Sequence, residues 1–141
     1  MLKVGTILLA IGLIFAGVYG LLLVFSPATL LSSTLEARGE TYEAVKATES
    51  GKAFIMQTRH LGVLGFCTVI AMFFVLFTTF NKGVQWAWWA FLLVGGIAWI
   101  FGLVLQILEG DMLNMILHII GVVLLAFGLL LPMREIFAKK A

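Results

Sequence analysis

The sequence predicts an all-α integral membrane protein: a bundle of four transmembrane helices with a longer extracytoplasmic link between the first and the second. Three observations carry that prediction. Of the 141 residues, 62% are hydrophobic and only 11% are charged. The mean hydropathy is +1.15. The apolar residues are gathered into four long runs separated by polar breaks. A soluble domain normally carries about a quarter charged residues, and this chain has too little polar surface to cover a water-soluble particle. Its nine Lys and Arg are spread thinly against seven acids, which disfavours nucleic acid as a partner. A single cysteine excludes an internal disulfide framework and a cysteine-rich metal site.

The first run, Val4 to Phe25, contains no charge and is bounded by Lys3 and by Ser26-Pro27. It is long enough to cross a hydrocarbon layer of roughly 30 Å, and longer than the core of a signal peptide, so it is expected to be retained as a helix. The second helix is expected over about 54–80, the third over 84–108 and the fourth over 112–131, closed by Pro132. Unpaired backbone groups are not tolerated in lipid, and these runs are too continuous for a β-barrel, so each is read as a helix. Together they form one transmembrane domain over 1–141. Asn81-Lys82-Gly83 and Glu109-Gly110-Asp111 allow only tight turns. They predict helices two and three, and three and four, as antiparallel neighbours. The first link differs. Charges of both signs between Glu36 and Lys52 stand at helix-like spacings, including Glu43/Lys46 and Glu49/Lys52. A short surface helix over one membrane face is expected there, interrupted at Gly39 and at Ser50-Gly51.

An even number of crossings places both termini on one side. Lys3, Lys82, Arg134, Lys139 and Lys140 fall on that side, and Arg38, Lys46, Lys52 and Arg59 on the other. The positive-inside rule therefore favours cytoplasmic termini, in what reads as a prokaryotic cytoplasmic membrane.

Lipid gives one apolar helix little reason to leave it for another, so close approach of small residues and polar contacts must hold the bundle. Gly12, Ala16 and Gly20 form a small-residue stripe on helix one, expected to pack within the bundle, with a homo-oligomer contact as the alternative. Gly95-Gly96, Ala98 and Gly102 on helix three and Gly121, Ala126 and Gly128 on helix four would admit bulky side chains such as Phe73, Phe74, Phe77 and Phe80. Dense packing is the simpler expectation; a cleft for a lipid tail or flat ring is the other. Trp86, Trp88 and Trp89 are expected to anchor helix three at the headgroup boundary, whereas Trp99 lies in mid-membrane.

Seven polar residues should gather toward the face that carries the long link: Arg59, His60, Gln106, Glu109, Asp111, Asn114 and His118. Asn114 and His118 share a helix face, and His118 lies about 9 Å below the helix start. Arg59 would snorkel or pair with Glu109. One expectation is a pocket in which Arg59 holds an anionic or carbonyl group and His118 donates or relays a proton. The other is a polar clamp fixing helices two, three and four. Arg59, His118 and Glu109 are the catalytic candidates; Arg59, Trp99, Asn114 and His118 are the cofactor-binding candidates. No metal site is expected, because the histidines stand on different helices without a compact ligand motif. Cys67 reads as an inert small apolar residue.

The stretch Arg59-His60-Leu61-Gly62-Val63-Leu64-Gly65, the glycines Gly95-Gly96 and the Ser26-Pro27 pair after helix one resemble the DoxX-like group of small four-helix membrane proteins. Some members of that group are associated with quinone-linked sulfur oxidation, and the resemblance implies that Arg59 belongs to a polar pocket. Three functions are thus open. The first is a membrane accessory subunit or lipid-binding scaffold without catalysis of its own, whose partners are membrane lipids and a membrane protein or second copy. The second is a quinone- or lipid-linked oxidoreductase component centred on Arg59 and His118. The third is a small-molecule transporter, although the inner half supplies almost no polar route.

Overall fold

The computed structural model describes residues 1–138, and the chain there consists of helices and turns; Lys139 and Lys140, counted above on the terminal side, lie outside the described residues. The order is α1 (Leu2–Phe25), α2 (Pro27–Ala37), α3 (Tyr42–Lys46), α4 (Glu49–Thr78), a 3₁₀ turn (Phe80–Lys82), α5 (Gln85–Gly96), a π-helical turn (Ile97–Phe101), α6 (Gly102–Glu109), α7 (Met112–Leu130) and α8 (Met133–Ala138). Four stretches are long and apolar enough to cross a membrane: α1, α4, the α5-π-α6 unit and α7-α8.

The second span begins earlier than the apolar run suggests. Thr48 caps it, its Oγ1 accepting from the Gly51 amide at 3.0 Å, and Glu49 stands in the first turn, where the helix dipole favours an acid. Ser50-Gly51 therefore does not interrupt the helix. It occupies the first turn, and a side chain on residue 51 would overlap the Val45 carbonyl. Gly39 does act as a break: its φ of +76° follows the end of α2. The surface helix of the link is α2, which starts upstream of the charged stretch because Pro27 sits in its first turn, where its missing N–H costs nothing. It buries Leu30, Leu31 and Leu35, the last two against Ile55 of α4. The spacings read as ion pairs form them: Lys52 to Glu49 at 2.7 Å and Lys46 to Glu43 at 3.5 Å.

Around the bundle the order is α4, α1, α7, then the third span. α1 lies between α4 and α7 because its glycines let both approach. A Cβ on Gly20 would come 3.1 Å from the Gly62 carbonyl, and one on Gly62 would come 2.7 Å from that of Gly20. On the other side a Cβ on Gly5 would meet the Gly128 carbonyl at 2.7 Å. The small-residue stripe of α1 thus faces its own bundle. Leu9, Met72, Leu76, Phe80, Trp88, Phe91, Leu125 and Leu129 form the core toward the terminal end.

Two packing expectations are corrected. Helices two and three touch chiefly beside their connecting turn, and the third span packs instead along α7. The glycines of the third and fourth spans receive each other's side chains: Leu125 sits on Gly95, His118 on Gly102 and Trp99 on Gly121. Phe74 and Phe77, expected in those grooves, point outward at 69% and 56% exposure. Trp86 and Trp89 are half exposed, as anchors should be. Trp88 is buried at 7%, with its indole N–H donating to the Leu129 carbonyl at 2.9 Å, so it is a core residue.

Candidate functional site: a lateral cleft beneath a polar clamp

Parting of α4 from the third span leaves a cavity of about 320 Å³. Its floor comes from α1 (Gly12, Ala16 and Tyr19 among others) and from His118, Gly121 and Leu125 of α7. Its lips are Leu61, Gly65 and Thr68 on α4 and Val94 and Ala98 on the facing span, all themselves exposed, so the cavity opens sideways between the two helices. A Cβ on Gly65 would touch nothing within 4 Å, in contrast to Gly62 three residues earlier. Trp99 reaches the cavity from the π turn, a wider helical turn that recurs at functional positions. It stacks on Phe15 at 5.7 Å and meets His118 edge-on at 5.4 Å. Among the described residues, no Asp, Glu, Lys or Arg lines the cavity.

At the end nearer the long link, a hydrogen-bond network closes over the cleft. Asp111 is 1% exposed and caps α7, accepting from the Asn114 amide at 3.1 Å. The same carboxylate accepts from Ser33 Oγ, from Thr34 Oγ1 and from Asn114 Nδ2, the last at 2.7 Å. Burial pushes its pKa up, but the hydrogen bonds from Ser33, Thr34 and Asn114 outweigh it and hold the carboxyl below its ordinary value. Asn114 Nδ2 also donates to the Leu30 carbonyl at 3.0 Å, and its Oδ1 accepts from Tyr19 OH at 3.1 Å. The Asn114 carbonyl, 2.7 Å from His118 Nδ1, completes the chain. A carbonyl only accepts, so Nδ1 carries the hydrogen, and in the neutral ring Nε2 is left as a lone-pair acceptor.

His118, Asn114, Asp111 and Trp99 are thus brought together, and the other candidates are not. Arg59 and His60 are exposed on α4 and neither lines the cavity. Glu109 is held by Arg38, at 2.6 Å from Nη2 and 2.7 Å from Nε, and not by Arg59. The clamp therefore joins α1, α2 and α7 in place of helices two, three and four. Tyr19, Leu30, Ser33 and Thr34 belong to it and were missed. Tyr19 was visible as the only tyrosine in the first apolar run, but the hydroxyls of α2 gave no signal because that helix was expected further along. Gln106 Oε1 is buried without a partner on α6, one turn from Gly102. Among the described residues no group of three His, Cys, Asp or Glu is placed to hold a metal.

Compared with protein-family models, with curated proteins and with solved structures, the chain finds no match in any of the three. What the fold itself defines is a small all-α membrane protein with four long apolar spans.

Proposed function

We propose that the protein is a non-catalytic membrane-embedded binding module, an accessory subunit or scaffold that holds a lipid-like molecule in its lateral cleft. The carrying observation is the cleft itself: an apolar cavity of about 320 Å³ whose exposed lips lie on two spans that part in mid-membrane. That volume stands at the small end of the range for small-molecule sites, which are mostly apolar with a few placed polar groups. The polar network supports a binding role over a catalytic one. Asp111, Asn114 and Tyr19 are engaged with one another and with α2, which makes them a clamp that fixes the cleft's closed end.

The alternative reading, a quinone- or lipid-linked oxidoreductase component, needs Arg59 and His118 to act on one ligand. His118 lines the cleft and Arg59 does not, so the geometry lends that reading less support. A transport route has little behind it as well, because Leu9, Leu13, Met72, Phe91 and Leu125 line the cavity's far end.

The test is purification in native lipid followed by mass spectrometry of retained small molecules, on the natural chain and on Gly65→Leu, whose Cβ meets nothing within 4 Å and whose side chain takes up space in the cleft. A lipid-like molecule retained by the first and lost from the second is the expected result. Equal retention by both would place the ligand elsewhere and refute the proposal. A stoichiometric protein partner in the same preparation would add the subunit role.

A further inference from the structure

The two ends of the bundle treat their cations differently. At the end that carries the long link, Arg38 is held by Glu109 at 2.6 Å, Lys46 by Glu43 at 3.5 Å and Lys52 by Glu49 at 2.7 Å. The further acids Glu36 and Glu40 stand exposed beside them, opposite a single unpaired base, Arg59, among the described residues there. At the terminal end Lys3, Lys82 and Arg134 are all exposed, and among the described residues none of them forms an ion pair. Glu135, the acid of that end, accepts from the Met1 amino group at 2.7 Å and from the Leu2 amide at 2.8 Å. The terminal end therefore presents positive charge that the chain itself does not answer.

The short helix α8, which carries Arg134, draws these cations to one face. Glu135 ties it to the start of α1, where Lys3 stands. Gln85 Nε2 donates to the Ile136 carbonyl at 3.4 Å, and Phe137 meets Trp88 at 5.4 Å and Trp89 at 6.3 Å. Those contacts tie α8 to the start of α5, beside the turn that holds Lys82. Trp86 and Trp89 are 53% and 51% exposed there, and their indole N–H groups, unlike that of Trp88, donate to no described residue. Indoles with an open N–H settle at the headgroup boundary, and long basic side chains reach the same layer. Unpaired bases at that layer are attracted by the negative potential of anionic lipids. A zwitterionic head brings its own cation and offers them less. We propose that the terminal end docks anionic phospholipid headgroups, with Lys3, Lys82 and Arg134 facing the phosphates and Trp86 and Trp89 offering N–H donors. This surface lies apart from the cleft and does not depend on what the cleft holds.

The experiment uses the full chain in nanodiscs made with equal amounts of phosphatidylglycerol and phosphatidylcholine that share the same acyl chains. Native mass spectrometry then counts the lipids that stay bound. The natural chain should retain phosphatidylglycerol in excess. Each of Lys3→Gln, Lys82→Gln and Arg134→Gln should lower that excess by up to about fivefold, the effect of one basic side chain near an anionic surface. Lys46→Gln together with Lys52→Gln, at the other end, should leave it unchanged. Equal retention of the two lipids by the natural chain would overturn the proposal, and it is the result that an acidic protein partner on this face would give. An excess that survives the triple substitution, or that falls with Lys46 and Lys52, would place the lipid elsewhere and overturn it as well. All five substituted side chains are exposed, so the fold does not depend on them.

Discussion

Asn114 uses both ends of its amide at once, tying the cap of α7 to a carbonyl of α2 and to the tyrosine of α1. Asp111 is the anionic centre of that arrangement, and its behaviour toward acid follows. Its folded-state pKa is depressed, so the stability it contributes is present above the unfolded value and is lost as the pH falls through the folded one. Thermal unfolding in detergent should therefore show a midpoint that drops as the pH is lowered below about 4, where an unperturbed aspartate titrates. Asp111→Asn should flatten that dependence. At neutral pH it should cost about 1–3 kcal/mol, since one amide end would face hydroxyl and amide donors already aimed at an acceptor. An unchanged midpoint at pH 7 would show that the clamp is not a stabilising unit.

The helices show where small residues matter and where they leave space. Gly62 and Gly65 are one turn apart in the same apolar run, yet only Gly62 meets another backbone: a Cβ there would lie 2.7 Å from the Gly20 carbonyl and 2.9 Å from Leu23 Cβ. Gly62→Ala should therefore lower the unfolding midpoint. Gly65→Ala should leave it unchanged or raise it, by up to about 1 kcal/mol from helix propensity. Equal losses for both would mean that the cleft is closed in the membrane. In the sequence the two glycines stand alike within one apolar run, because periodicity does not reveal which neighbour occupies a face. The same blindness explains Trp88, whose indole finds a carbonyl on α7, a partner that only tertiary packing supplies. It explains the start of α4 as well: a polar Thr48 cap begins a helix a full turn before its apolar run, and hydropathy registers only the run.

At the scale of the whole molecule, the number of spans and their alternation were legible from hydropathy alone, since length and charge exclusion define a span without any knowledge of partners. The arrangement around the bundle was not. Tight turns predicted that successive spans would pack side by side, and this holds for the third and fourth but not for the second and third, where α1 competes for α4 with a better glycine surface. Of the polar candidates, His118 and Asn114 were read correctly as companions because they stand four apart on one helix. Arg59 and Glu109 were joined on charge alone, and Arg38 of the long link is the nearer partner. The Met1 amino group lies 2.7 Å from Glu135, so the two ends of the described chain share a face, and an even number of crossings requires this. With Cys67 replaced by Ala, single cysteines at Lys82 and Glu40 should react with a membrane-impermeant maleimide from opposite sides of a sealed membrane. Reaction from the same side would contradict the four-span topology.

The gap between α4 and the third span carries a further consequence for how any occupant would arrive. A guest entering there never has to leave oil for water: it diffuses in two dimensions within a leaflet and slips in edgewise past Leu61, Gly65 and Val94. Occupancy would then follow the guest's mole fraction among the surrounding lipids and not its aqueous concentration.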